Sequence, residues 1–352
     1  MDSRRYRFTV RCSSGISTIA DNQKCYADLT MPSRKIDVFN GDADGICALH
    51  QLRLVEPAHS ELVTGPKRET DLLKRVEAQV GDEITVLDIA LSKNRADAER
   101  LLRQGACIRY FDHHQPGAIP DHPGFESYID TDPKLCTSLL VDQYLHGQQR
   151  IWAVIAAFGD NLGDSARLVA QTLGLSPGQL DQLQSLGECL NYNGYGETLA
   201  DLFFDPAELY RQLHAYIDPF CFIQESQIYQ VLKTGYAEDM AQAISVKPIE
   251  DRPAGRIYRL PAQKWARRIS GVFGNLLAVQ SPAQAHAVLT EKTEGGYVVS
   301  VRAPKSTSVG ADEVCSQFKT GGGRRGAAGI NHLSENELGR FMTIFYSTFK
   351  VS

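Results

Sequence analysis

The sequence predicts an α/β protein in two parts: an N-terminal mostly parallel sheet with flanking helices, and a smaller C-terminal α/β domain. Three observations lead to that expectation. Short apolar runs alternate with helix-period segments early in the chain, and strands separated by helices pair in parallel through crossovers. The 352 residues exceed what one core ordinarily serves. The charge is also divided. Residues 251–352 hold 14 Lys and Arg against 7 Asp and Glu, or +7, so a chain of net charge −5 carries −12 in its first 250 residues. An acidic part and a basic part suit one module that holds cations and another that holds an anion.

Residues 1–33 show no amphipathic period and read as a disordered N-terminal extension, with Met31 as an alternative start. Ile36–Phe39 then reads as a buried strand, and Gly45–Val55 as a helix with Ile46, Leu49, Leu52 and Val55 on one face. A strand is expected at Ile84–Leu87, a helix at Ser92–Gln104 stopped by Gly105, and a strand at Cys107–Phe111. Helical periods follow at Cys136–His146, Ile151–Phe158, Ser165–Leu173 and Ala207–Tyr216. Residues 233–255 mix Gly, Pro and charge and read as the passage between domains. Beyond them come a helix at Gln263–Val279, strands at Ala285–Thr290 and Tyr297–Arg302 joined by a Glu-Gly-Gly turn, and helices near Ala311–Phe318 and Ser334–Phe349.

No run approaches 18 consecutive apolar residues, which argues against a hydrophobic spanning helix and a membrane partner. The first residues lack the apolar core of a secretory signal. The eight cysteines are scattered with no CxxC pair. That argues against a zinc finger or a disulfide scaffold and for reduced thiols in a cytoplasmic protein.

The chemistry gathers at strand ends. The first strand runs into Asn40-Gly41-Asp42-Ala43-Asp44-Gly45, the second into Asp88, and the third into Asp112-His113-His114. In a parallel sheet these carboxyl ends share one edge, where open α/β folds bind ligands, so residues distant in sequence converge. Converging carboxylates repel one another unless cations lie between them. Oxygen and imidazole donors together suit Mn²⁺ and related divalent ions. Two such ions lower the pKa of bound water and clamp a phosphoryl group. Gly159-Asp160-Asn161, after an apolar helix, is a further contributor. Any one of these Asp residues is as readily a helix or turn cap; the full set at three successive strand ends argues for a site. Asn40-x-Asp42-x-Asp44-Gly45 also looks like the start of an EF-hand loop. Its twelfth position is Gln51, where a bidentate Glu is needed, and a strand precedes it.

GDADG (41–45), VLD (86–88), DHH (112–114) and GDN (159–161), in this order, resemble the four motifs of the DHH phosphoesterases. GGGRRGAAG (321–329) resembles the GGGHxxAAG signature of the domain that often accompanies them. The resemblance spans about residues 35–350. It implies a DHH metal-binding domain at 34–195, a helical connector at 196–245 and a substrate-binding domain at 246–352. It also implies Mn²⁺ as cofactor, two ions being expected, with Mg²⁺ or Co²⁺ as alternatives. Carried over by residue, Asp42 and Asp88 would bind one ion, and Asp44, Asp88, His113 and Asp160 the second, with Asp88 bridging. His114 and Asp112 are the residues assigned to catalysis, His114 facing the phosphate and Asp112 orienting a histidine. Three positions depart from the pattern. Val38 stands where many members have His, so the first ion site lacks that imidazole. Asn40 stands where RecJ-type members have Asp and is expected to lend an amide oxygen or to contact substrate. Arg324 replaces the histidine of the glycine-rich signature.

Gly321-Gly322-Gly323-Arg324-Arg325-Gly326 also matches GxGxxG, but a helical segment precedes it, which argues against a Rossmann loop. Open backbone N–H groups beside guanidinium groups suit phosphate. Gly322, Gly323 and Arg324 are therefore expected substrate contacts, and the resemblance adds Arg302, which matches a basic position upstream of the same signature in the family. Lys67-Arg68 reads first as helix-start charge and only second as a phosphate contact. Residues 191–196 (NYNGYG) read either as a base-stacking platform or as a turn with packed tyrosines. The other histidines, His50 and His214 among them, read as structural or surface residues. The function expected is hydrolysis of phosphodiester or phosphomonoester bonds in small nucleotides or short oligonucleotides by metal-activated water. A polyphosphatase and a catalytically impaired phosphate-ligand sensor are the other readings. Net charge of −5 argues against long duplex nucleic acid as a partner; a homodimer is an allowed assembly.

Overall fold

The computed structural model describes residues 33–305 and 309–350. The expected N-terminal extension lies outside them except for Ser33. The first sheet comprises β1 (Lys35–Phe39), β2 (Glu61–Val63), β3 (Glu83–Leu87), β4 (Cys107–Asp112) and β5 (Phe125–Ile129). All pairings are parallel, in the order β2-β1-β3-β4-β5. The chain leaves β1 for β2 on one side and returns to β3 on the other. The order therefore reverses between β1 and β3, and such a reversal opens a crevice at their carboxyl ends.

Helix α1 (Ala43–Val55) follows β1 and α2 (Leu91–Arg103) follows β3. The remaining helices of this part are α3 (Thr137–Tyr144), α4 (Arg150–Gly159), α5 (Gly163–Ala170), α6 (Pro177–Gly194), α7 (Pro206–His214), α8 (Pro219–Glu225) and α9 (Gln227–Ser245). Helix α1 is more enclosed than its single apolar face implies. Every residue from Ala43 to Arg53 is buried, with α3, α4, α6 and α7 packed around it. Buried polar groups need partners, and several on α1 have them, although Gln51 Oε1 has none among the described residues. Gln51 Nε2 donates to the carbonyls of Cys47 and Ser138. The Arg53 guanidinium pairs with Asp37 at 2.5 Å and reaches Thr85. Helix α2 covers the opposite sheet face with Leu72, Leu73 and Val76.

The second sheet is mixed and six-stranded, with β6 (Glu250–Arg252), β7 (Gly255–Leu260), β8 (Ala285–Glu291), β9 (Tyr297–Arg302), β10 (Gly321–Arg324) and β11 (Ala327–Leu333) in the order β10-β11-β9-β8-β7-β6. Helix α10 (Lys264–Gln280) forms the crossover between the parallel pair β7 and β8. Helices α11 (Ala311–Cys315) and α12 (Leu338–Thr348) complete the part. The two parts share an apolar cluster in which Tyr192 and Ala243 meet Leu260, Ala266, Ile269 and Phe273. Arg267 pairs with Asp201 at 2.7 Å and Arg268 with Asp239 at 2.8 Å across the same contact.

Several expectations need correction. Residues 233–255 are not a passage: α9 runs through to Ser245 and β6 begins at Glu250. Gly235, read as a breaker, is a contact glycine, because a Cβ there would lie 2.3 Å from the Phe203 ring. Asn191–Gly194 form the last turn of α6, and buried Tyr192 donates to Asp239, so this tyrosine is core and no stacking platform. The glycine-rich segment is a β-hairpin, β10 and β11, rather than an open loop. Cys47, Cys136, Cys189, Cys221 and Cys315 are free thiols, as the sequence led one to expect of these five. No helix among the described residues is long and apolar enough to cross a membrane.

His50 makes the fold pH-sensitive. It is fully buried, its Nδ1 lies 3.0 Å from His214 Nδ1, and its ring sits edge-on to Trp152. Burial first, and His214 second, hold its imidazole well below the ordinary value. The fold therefore accepts neutral His50, while the unfolded chain takes up a proton below about pH 6.5. This contribution is complete above that pH and is lost as pH falls. In urea unfolding, the wild type is expected to lose on the order of 1–2 kcal/mol more stability between pH 6.5 and 5 than His50→Met. Equal losses in the two proteins would show that this imidazole is not the cause.

Candidate metal centre

The crevice between β1 and β3 gathers the acidic residues of the motifs. Asp42 caps α1, its Oδ1 accepting from the N–H groups of Asp44 and Gly45 at 3.0 Å each. Gly45 has no alternative, because a Cβ there would stand 2.1 Å from the Asn40 carbonyl oxygen. The Asp44 carboxylate receives the N–H groups of Thr137 and Ser138, both at 2.7 Å, from the start of α3. Asp88 follows β3 with φ of 60°, and Asn161, next to Asp160, has φ of 61°. Left-handed backbone is costly for residues other than glycine and concentrates at functional sites. Asp112 ends β4, and its Oδ1 accepts the His113 N–H at 2.9 Å and the His114 Nδ1–H at 2.7 Å. His113 Nδ1–H donates to the Leu135 carbonyl at 3.0 Å. Its Nε2 is left facing Asp88 at 3.5 Å and Asp160 at 4.0 Å.

Burial, then Asp42 and Asp44, push the Asp88 carboxyl well above its ordinary pKa. Burial also raises Asp44. Burial would raise Asp42 as well, but Lys67 outweighs it and holds that carboxyl low. His113 would be lowered by burial; Asp88, Asp44 and Asp160 overcome this and raise it to about 10. The cluster thus draws positive charge to itself. Two donor groups have ligand atoms within 4.8 Å of one another: Asp88, His113 and His114, and Asp44, His113 and Asp160. Buried Asp112 Oδ2 and Asn40 Oδ1 have no hydrogen-bond partner among the described residues. Carboxylate and imidazole donors around such a space fit a divalent ion of the Mg²⁺ to Mn²⁺ type.

Of the residues singled out in the sequence, Asp42, Asp44, Asp88, Asp112, His113, His114 and Asp160 come together. Asn40 is buried beside them, its N–H bonded to the Leu87 carbonyl. Arg302 connects indirectly. Its Nε donates to Asn275 at 2.7 Å, and Asn275 donates to Asn161 at 3.2 Å. Its other donors go to Ser300 and to the carbonyls of Val301 and Gly271. Gly322, Gly323 and Arg324 lie exposed on the edge strand β10 and make no hydrogen bond or ion pair with the cluster. Sequence reading undervalued Lys67. Its Nζ stands 2.6 Å from Asp42 and 3.4 Å from Asp160. The Gly-Pro-Lys order after the short β2 was its one local signal.

No family model and no curated protein matches the chain. Solved structures do. RecJ from Thermus thermophilus, in complex with Mn²⁺, superimposes with a TM-score of 0.54 at 16% identity, covering 89% of this chain and 51% of that one. The pGpG-specific phosphodiesterase PggH from Vibrio superimposes with a TM-score of 0.52 at 13% identity, covering 89% of this chain and 99% of that one. The chain has the DHH-family phosphoesterase fold. The likeness is one of fold, and this chain spans about half the length of the RecJ chain. Within the DHH fold the carboxylates lie at the sheet reversal, as the parallel topology requires.

In the metal-free protein Asp88 is a burden. A carboxyl raised above its unfolded pKa favours the fold at low pH and opposes it as pH rises through that range. Asp88→Asn keeps a residue that tolerates left-handed backbone. It is expected to raise the melting temperature of the metal-free protein at pH 7, measured by calorimetry in chelator. A fall would contradict the electrostatic account.

Proposed function

We propose that this protein is a divalent-metal-dependent phosphoesterase that cleaves small nucleotides or short oligonucleotides. The observation that carries the reading is the convergence of Asp44, Asp88, His113 and Asp160 at the reversal of a parallel sheet. These residues would hold the ion. When bound, Mn²⁺, or Mg²⁺ or Co²⁺ in its place, supplies a water of lowered pKa and positive charge for phosphoryl oxygens. Asp112 occupies His114 Nδ1–H, which leaves Nε2 as the nitrogen that accepts or gives a proton at the phosphate. His114 is the catalytic residue in this reading and Asp112 positions it. The Arg324 side chain makes no hydrogen bond or ion pair with another described residue, and β10 lies at the sheet edge. Its guanidinium, on an exposed edge strand beside Gly322 and Gly323, suits a distal phosphate. Arg302, tied through Asn275 to Asn161, sets the second part against the Asp160 loop.

A substrate of dinucleotide size is supported by two facts. The chain matches PggH, described as pGpG-specific, over nearly that whole protein, but only half of RecJ. Its net charge of −5 does not favour a long polyanion. The test is Mn²⁺-dependent hydrolysis of linear dinucleotides such as pGpG, pAp, cyclic dinucleotides and polyphosphate. Turnover of a linear dinucleotide is expected, reduced by at least about 100-fold in Asp88→Asn. Turnover of polyphosphate alone would replace the nucleotide reading, and no turnover of any of them would overturn the proposal.

A further inference from the structure

We infer that the Lys67 ammonium takes the place of one of two cations at this centre, so that each chain binds a single divalent ion. The inference rests on the metal-centre reading above and specifies it. Lys67 starts no helix. It lies in the loop after β2, and its backbone N–H donates to the Gly194 carbonyl at 2.9 Å, which ties it to the end of α6. Its Nζ stands 2.6 Å from Asp42 Oδ2, 3.2 Å from Asn191 Oδ1 and 3.4 Å from Asp160 Oδ1. Three oxygens around one ammonium match its three donors. The lysine therefore sits among oxygens in the manner of an ion.

Asp42 is largely committed. Its Oδ1 accepts two N–H groups at the start of α1 and its Oδ2 faces Lys67. Accordingly, neither donor group among the described residues includes Asp42. Val38, nearby on β1, is fully buried and apolar and supplies no nitrogen.

The imidazole count points the same way. Both donor groups include His113. Its Nδ1 is committed to the Leu135 carbonyl, so one nitrogen, Nε2, is available, and a nitrogen lone pair ligates one ion. The two groups therefore describe the surroundings of a single ion: Asp44, Asp88, His113 and Asp160, with His114 at its edge. A lysine in the second position neutralises Asp42 and can bond a phosphoryl oxygen, but it activates no water, which leaves that task to the one ion.

The experiment is Mn²⁺ titration of the metal-free full chain by calorimetry, with bound metal counted after gel filtration. The wild type is expected to bind one Mn²⁺ per chain. Asp42→Asn retains an oxygen to cap α1 and is expected to bind one as well, with affinity changed by less than about tenfold. Lys67→Ala frees Asp42 and is expected to bind two. Two ions in the wild type, loss of an ion in Asp42→Asn, or a count that stays at one in Lys67→Ala would each overturn the inference and leave the metal centre standing. If Lys67→Ala does not fold, the first two proteins decide. No Mn²⁺ on the wild type would instead overturn the metal-centre reading itself.

Discussion

Three buried carboxylates, Asp42, Asp44 and Asp88, and a fourth at the rim, Asp160, share one crevice, and that concentration of negative charge must be met by positive charge. Uncompensated, such groups take up protons or separate. The backbone prevents separation. Asp42 is locked as the cap of α1, Asp44 by two N–H groups of α3, and Asp88 by its bond to the Phe111 carbonyl at the end of β4. Each of these three is held by backbone contacts that need no metal ion, so their arrangement does not depend on one.

The same crevice fixes the rest of the molecule through α6. Gly194 closes that helix directly against Asp42, where a Cβ would come within 2.9 Å of the Asp42 side chain. Two residues earlier, Tyr192 bonds Asp239 and lies in the apolar cluster shared with the second sheet. Arg268 joins that network from α10. One helix end thus backs the acidic cluster, anchors Lys67 and seats the second part, whose Arg302 is tied through Asn275 to Asn161 beside it.

Much of this was legible from the sequence, for identifiable reasons. Strands β1, β3 and β4 are short apolar runs that end in acid, and parallel topology forces such ends together. Strand β2 is three residues, and edge strand β5 (Phe125–Ile129) buries none of its residues fully, so neither left an apolar run to read. Helix α6 was hidden by Gly178, Gly187 and Gly194, glycines that spacing marks as breakers. Two of them are needed for close approach, since a Cβ at Gly187 would lie 2.2 Å from the Ile155 carbonyl oxygen. Lys67 was undervalued because its role depends on where the β2 loop meets the end of α6, a tertiary fact that no local pattern encodes. The DHH-like motif order located the acids but could not show which oxygens were already committed.

The central claim is that a divalent ion replaces positive charge that His113 carries without it. Asp88, Asp44 and Asp160 hold its imidazole protonated to about pH 10 in the metal-free protein, and a nitrogen must lose its proton to ligate. Calorimetric titration with Mn²⁺ at pH 7.5, in two buffers of different ionisation enthalpy, measures that exchange directly. The account predicts release of at least one proton per ion bound, with weaker binding at pH 6 than at pH 8. Binding that releases no proton and is indifferent to pH would contradict it.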